Sequence, residues 1–362
     1  MKLAGAVLLG LLAVLTLASP ASAHAADAPG ATDYRTTLAK VSPAVDGVQI
    51  RVVENGARLE LRNGTRQTVL VLGYSGEPYL RVTPEGVWTN ERSPAAWVNQ
   101  TIDGKATPPA NAGIDTKATP RWKKVSSRPV IRWHDHRTHW MSDFLPPAVA
   151  AAPDVPRLLA NWKVGLLVGT VPVTVSGRLD YLPPPSAGAW WGLSALAAAV
   201  LVGTALLRPS RRVLPPVLSV ALLVAAAAEL VDAVGRALDD GQTGFGLLSW
   251  LPFHRAYVLA TVVGAVAAAA VALRRRPSGM FALALAGACL VAVGGLADVA
   301  VFGHAVAPVA WPGTVARLCT AAGLGLGGGV ALAATLRLRQ ESSAARPPRT
   351  SARAALRAME TA

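Results

Sequence analysis

Cysteine is nearly absent: the 362 residues hold only Cys289 and Cys319, both inside long apolar runs. No disulfide framework can therefore staple the polar half of the chain. A His/His/Cys blue-copper centre and a c-type haem attachment likewise lack the thiols they need. Acidic residues are scarce, 21 against 35 Lys and Arg, for a net charge of +14. Paired catalytic carboxylates, a Ser/His/Asp or Cys/His arrangement and a nucleotide motif are also missing, so an enzyme is the least favoured class. The positive excess would ordinarily point to nucleic acid. Here it sits in short loops beside apolar runs and in the tail 337–362, where anionic lipid is the natural partner and nucleic acid is not.

Residues 1–23 read as a signal peptide: Lys2, an apolar stretch from Leu3 to Ala18, then the small-residue site Ala21-Ser22-Ala23. Cleavage there leaves His24 as the mature N-terminus, while the competing site Ala23-His24-Ala25 removes it. Five apolar spans near the length of a bilayer follow in the second half, at about 188–207, 213–235, 256–273, 279–302 and 314–336. Arg208, Arg211 and Arg212 follow the first, Arg274, Arg275 and Arg276 the third, and Arg337 and Arg339 the fifth. The positive-inside bias then sets the preceding domain outside a plasma membrane and the C-terminus in the cytoplasm. The tail 337–362 has no apolar periodicity and reads as disordered or surface-bound.

The stretch 24–182 carries short alternating runs punctuated by Gly and Pro, at Val48 to Val53, Leu59 to Leu61, Val69 to Leu72, Tyr79 to Val82, Gly86 to Trp88, Lys163 to Val168 and Val171 to Leu179. Asn55-Gly56 marks a two-residue hairpin turn between the first two. In the last run Val173, Val175, Gly177 and Leu179 share one face. The fold expected is an exported all-β, antiparallel sandwich-like domain, then an α-helical membrane bundle of five transmembrane helices over 188–336. Residues 90–128 lose periodicity and read as a long loop. A Pro-rich linker, 183–187, joins the two parts, and Trp190-Trp191 suits the headgroup layer.

The strings Gly73-Tyr74-Ser75-Gly76-Glu77-Pro78-Tyr79-Leu80-Arg81, Arg92-Ser93-Pro94-Ala95, Trp133 to Met141 and Trp162 to Pro183 resemble an actinobacterial family of signal-peptide-bearing, multi-span membrane proteins. That resemblance covers most of the β-domain and implies an architecture without an activity. A weaker likeness is to the secreted copper-resistance β-sandwiches of the CopC type and their fusions with a CopD-type membrane domain. It rests on an exported β-domain with His24-Ala25 at its start and a multi-span region after it. The intervening sequence departs from that pattern, and five spans are few for such a fusion. What it implies is copper.

Trp133-His134-Asp135-His136-Arg137-Thr138-His139-Trp140-Met141 concentrates three of the six histidines. On a strand, His134 and His136 point to one face with Asp135 opposite, and His139 joins them if the chain bends after Arg137. An N-terminal His24 adds an amine and a ring nitrogen, giving the nitrogen-rich site that Cu(II) favours, with Zn(II) second. The competing reading is structural: His134 and His136 donate to backbone carbonyls, Asp135 pairs with Arg137 or Arg132, and Met141 packs in the core. The first reading makes the protein a membrane-anchored copper handler, sensor or delivery factor. The second makes it a non-enzymatic envelope protein whose β-domain binds another protein.

Within the spans, Glu229, Asp232, Asp298, Arg255 and Arg317 each cost about 2.5–3.5 kcal/mol to insert unless paired or hydrated. Asp232 with Arg255 and Asp298 with Arg317 are the economical pairs, each joining the helices of one hairpin. Gly-x-x-x-Gly spacing at Gly323/Gly327 and Gly325/Gly329 permits close packing, within the bundle or across a homodimer.

Overall fold

The computed structural model describes residues 30–142, 144–207 and 212–344. The signal segment, His24, Arg208, Arg211 and the chain beyond 344 lie outside them. Between Tyr34 and Tyr181 the described residues form ten strands, all paired antiparallel: β1 (Tyr34–Ser42), β2 (Val48–Val53), β3 (Arg58–Asn63), β4 (Val69–Leu72), β5 (Pro78–Thr83), β6 (Gly86–Asn90), β7 (Trp122–Ser126), β8 (Val130–Trp133), β9 (Arg157–Val168) and β10 (Val171–Tyr181).

Seven strands join in the order β1-β10-β9-β4-β5-β6-β7, and three in the order β2-β3-β8. Both sheets feed one core: Leu59, Leu61 and Trp133 come from the small sheet, and Val69, Val71, Val82, Val164 and Leu166 from the large one. Each such side chain contributes about 1.5–3 kcal/mol on full burial, and that term holds the layers together. The alternation in β10 falls inward, with Val173, Val175, Gly177 and Leu179 all buried. Glycine is required at 177, because a Cβ there would lie 2.1 Å from both the Thr37 carbonyl oxygen and the Trp162 ring.

The first hairpin departs from the two-residue turn. Val53 pairs with Arg58, so the loop is Glu54 to Ala57. Glu54, Asn55 and Gly56 all take positive φ, at 55°, 55° and 90°. Three strands lie outside the runs read in the sequence: β1, half exposed along its length, β7, the end strand of the large sheet, and the four-residue β8. The chain from 91 to 121 does run as a loop, broken by one turn of helix at Ala95–Val98.

Among the described residues five helices are long and apolar enough to cross a membrane: α1 (Ala187–Leu206), α2 (Leu214–Asp239), α3 (Ala256–Leu273), α4 (Gly279–Leu296) and α5 (Gly313–Ser343). Their bounds match the hydropathy reading within a few residues at most ends. α5 runs seven residues beyond 336, and the stretch 297–302 leaves α4 for a short 3₁₀ turn at Val299–Phe302. The end of α4, Val291–Leu296, and the middle of α5, Gly323–Gly327, are wound as π-helix. The glycine pairs of α5 are taken up inside the bundle. Gly325 and Gly329 lie against Ser194, Ala197, Ala198 and Leu201 of α1, while Gly323 and Gly327 lie against Gly295 and Gly287 of α4.

The compact unit that holds the β-strands also takes in Gly235–Trp250 and Gly303–Gly313, the segments joining α2 to α3 and α4 to α5. Arg132 of β8 pairs with Glu60 at 2.8 Å and with the Asp240 carboxylate, and donates to the Asp240 carbonyl at 2.6 Å. The Asn55 amide donates to Asp239 at 2.7 Å. Thr32 and Val306 exchange backbone hydrogen bonds of 3.0 and 2.8 Å, and Ala305 donates its amide to Asp33 at 2.8 Å.

His304 closes this contact with Nδ1 at 3.1 Å from Asp33 Oδ2, and that hydrogen bond raises its pKa above the ordinary 6.5 despite burial. A histidine raised in the folded state adds stability that is complete below the unfolded pKa and lost as pH rises through the folded one. Thermal midpoints measured between about pH 6 and pH 8 should therefore fall by the equivalent of less than about 1 kcal/mol, since the pair is part exposed. His304→Gln should flatten that slope. An unchanged slope in the variant would remove His304 from the contact.

Candidate functional site

The histidine run leaves the strand earlier than its alternation predicts. β8 ends at Trp133, His134 and Asp135 are irregular, and residues 136–138 turn. The strand-based face shared by His134 and His136 is therefore not formed. The reason is Asp135, whose fully buried carboxylate competes with strand pairing. Its Oδ1 accepts Arg137 Nε at 2.7 Å and the Arg137 amide at 3.2 Å, and its Oδ2 accepts Arg137 Nη2 at 2.7 Å and Trp133 Nε1 at 3.0 Å. Thr138 donates both its amide and its hydroxyl to the Asp135 carbonyl at 2.8 Å. Arg137 also caps the Leu72 carbonyl at 3.2 Å and lies over the Tyr74 ring at 5.0 Å.

This turn brings the three imidazoles together. His136 and His139 have ring centroids 5.0 Å apart, and His134 and His139 are 6.3 Å apart, edge to face. His134 has both nitrogens engaged. Arg58 Nε can only donate, so Nε2 of His134 accepts from it at 3.2 Å, and Nδ1 carries the hydrogen given to the Ala57 carbonyl at 2.8 Å. Burial, with Arg58 adding to it, pushes the His134 pKa down to about 4.

His136 and His139 are held differently. Each donates from Nε2 to a backbone carbonyl of the 91–121 loop, His136 to Val98 at 2.9 Å and His139 to Ile102 at 3.0 Å. A neutral ring that donates from Nε2 carries its lone pair on Nδ1, and the backbone of Thr101 and of Asp135 also bears on the two rings. The His139 Nδ1 is buried and makes no hydrogen bond of good geometry. The His136 Nδ1 meets the thioether sulfur of Met141. Burial lowers both pKa values from 6.5, so both rings are neutral at neutral pH. Gly104, at φ 67°, closes over this contact, since a Cβ there would lie 3.1 Å from the His136 ring and 3.5 Å from the Met141 sulfur.

Among the described residues no three His, Cys, Asp or Glu side chains converge as a metal would need. A site here must therefore use a donor of another kind, and the thioether is one. Met141 is not the core residue its apolar character predicts but is 43% exposed. The sequence signal for the arrangement is the spacing His136-x-x-His139-x-Met141, legible only once a turn replaces the strand.

In the helical bundle, Asp232, Arg255 and Asp298 line a single pocket together with Glu229, Gly294 and Thr320. Three of the four charges expected to pair within hairpins, Asp232, Arg255 and Asp298, thus lie on one pocket. Arg255 donates to the Tyr257 hydroxyl, and Arg317, buried outside the pocket wall, donates to the Val301 carbonyl at 2.9 Å.

Comparison of the chain with protein-family models, curated proteins and solved structures finds no match.

Proposed function

We propose that the β-domain binds one copper ion, preferentially Cu(I), at His136, His139 and Met141, as part of copper handling, delivery or sensing at the outer face of a membrane. The observation that carries this reading is the convergence of lone pairs. His136 Nδ1 is in contact with the Met141 sulfur, and the buried His139 Nδ1 makes no hydrogen bond of good geometry. The Nε2–H bonds to Val98 and Ile102 are the outer contacts that orient ligating imidazoles. A thioether selects Cu(I) over Zn(II), which two imidazoles alone would also suit.

His134 has no role as a ligand in this reading; it ties the turn to β3 through Ala57 and Arg58. His24 remains a candidate for an additional donor if the signal is cut after Ala23. The arginine-flanked spans favour the outer side for the β-domain.

The test is a competition titration of the purified full-length protein with a chromophoric Cu(I) chelator. One equivalent should be held by the wild type and lost in the His136→Ala/His139→Ala variant, while His134→Ala keeps it. No saturable uptake by the folded wild type would overturn the site, and the run would then be a structural network on a protein-binding domain.

A further inference from the structure

We propose that Glu229 is a proton-binding site of the membrane bundle, a carboxyl that carries a proton at rest and exchanges it through the pocket it lines. Glu229 sits in α2, only 4% exposed. One oxygen, Oε2, accepts the Thr261 hydroxyl from α3 at 3.1 Å. The other, Oε1, is buried and has no hydrogen-bond partner. It faces the π-wound end of α4, where Gly294 provides the space: a Cβ at that position would fall 2.0 Å from Oε1. The carboxyl is therefore seated against bare backbone in a cradle any other residue would fill. Single π-turns inside long helices recur at functional sites, and this one shapes the cradle.

Among the groups placed on and beside this pocket, negative charge is in excess. Glu229, Asp232 and Asp298 are three carboxylates on this pocket, against Arg255 in its wall and Arg317 one turn from Thr320. If every group were ionised, one negative charge would remain in a region that cannot solvate it. A proton or a metal cation can cancel it. The seat against Gly294 is too close for an ion with its shell of six or more oxygens, and a proton needs no such shell. Asp232 and Asp298 line the same pocket and are the polar groups through which that proton would exchange.

Dicyclohexylcarbodiimide, an apolar electrophile that takes up the proton and then the oxygen of carboxyls in apolar surroundings, is the probe. The full-length protein in lipid vesicles is treated at several pH values, in sodium chloride or choline chloride, and adducts are mapped by peptide mass spectrometry. Roughly tenfold more adduct should form on Glu229 than on Asp232 or Asp298, falling as pH rises and indifferent to sodium. Glu229→Gln should lose it while keeping the Thr261 contact. Gly294→Ala, which displaces the carboxyl, should reduce it severalfold on a protein that still purifies as one species. Absence of adduct on Glu229 of the folded wild type would overturn the proposal. So would suppression by sodium, which would assign the site to a metal cation.

Discussion

Asp135→Ala is expected to lower the stability of the β-domain by about 3–5 kcal/mol, the scale of breaking a buried ion pair from one side. Both carboxylate oxygens serve: Arg137 takes one through Nε and its amide, and the other through Nη2 beside Trp133 Nε1. Alanine would leave the guanidinium of Arg137 without its anion and the indole N–H without an acceptor, in a position of zero exposure. Thermal or urea unfolding followed by tryptophan fluorescence should show a melting temperature about 10 °C lower. Asp135→Asn should fall between, keeping shape and one acceptor but not the charge. A loss below about 1 kcal/mol for alanine would mean that the turn is held by the Thr138 and backbone bonds, and the account of why β8 stops at Trp133 would fail.

Met141→Leu should reduce Cu(I) affinity about 10–100-fold while leaving Cu(II) affinity nearly unchanged, because the thioether is the soft donor and the imidazoles serve both ions. Leucine has similar volume at a position already 43% exposed, so the fold should not pay for the change. The comparison separates the sulfur from the histidines: His136→Ala should weaken both oxidation states, whereas Met141→Leu should weaken one. Paired titrations under reducing and oxidising conditions read the difference. Equal losses for both ions would place the sulfur in packing and return the site to a nitrogen-only centre.

How far the chain could be read depended on whether a residue's partner lay near in sequence. The five spans are local properties of length and hydropathy, and α3 was legible to the residue at Ala256–Leu273. β10 was equally plain because Val173, Val175 and Leu179 all fall in the core. β1 and β7 were not, since Tyr34–Ser42 buries no face completely and Trp122–Ser126 exposes both lysines. The histidine run was legible in part: its carbonyl contacts and the Asp135–Arg137 pair were among the readings, its backbone course was not. Alternation said strand, but a carboxylate that bonds two residues back and two ahead outweighs alternation, and it turned His136 and His139 toward a loop more than thirty residues earlier. His134 was legible as a carbonyl donor but not as an acceptor from Arg58, which requires β3 to be in place. Asp232 and Asp298 showed their depth in the sequence, whereas their meeting in one pocket depends on how α2, α4 and α5 pack.

The Arg132–Asp240 pair spans 108 residues and the His304–Asp33 contact 271. The chain is made from its N-terminus, so β8 is synthesised long before Asp240 and β1 long before His304. The β-domain therefore completes these clamps only after α2 and then α4 have been inserted. A chain stalled after α1 would lack both clamps: Arg132 would keep Glu54 and Glu60 but not Asp240, and Asp33 would lose the contacts from His304 and Ala305.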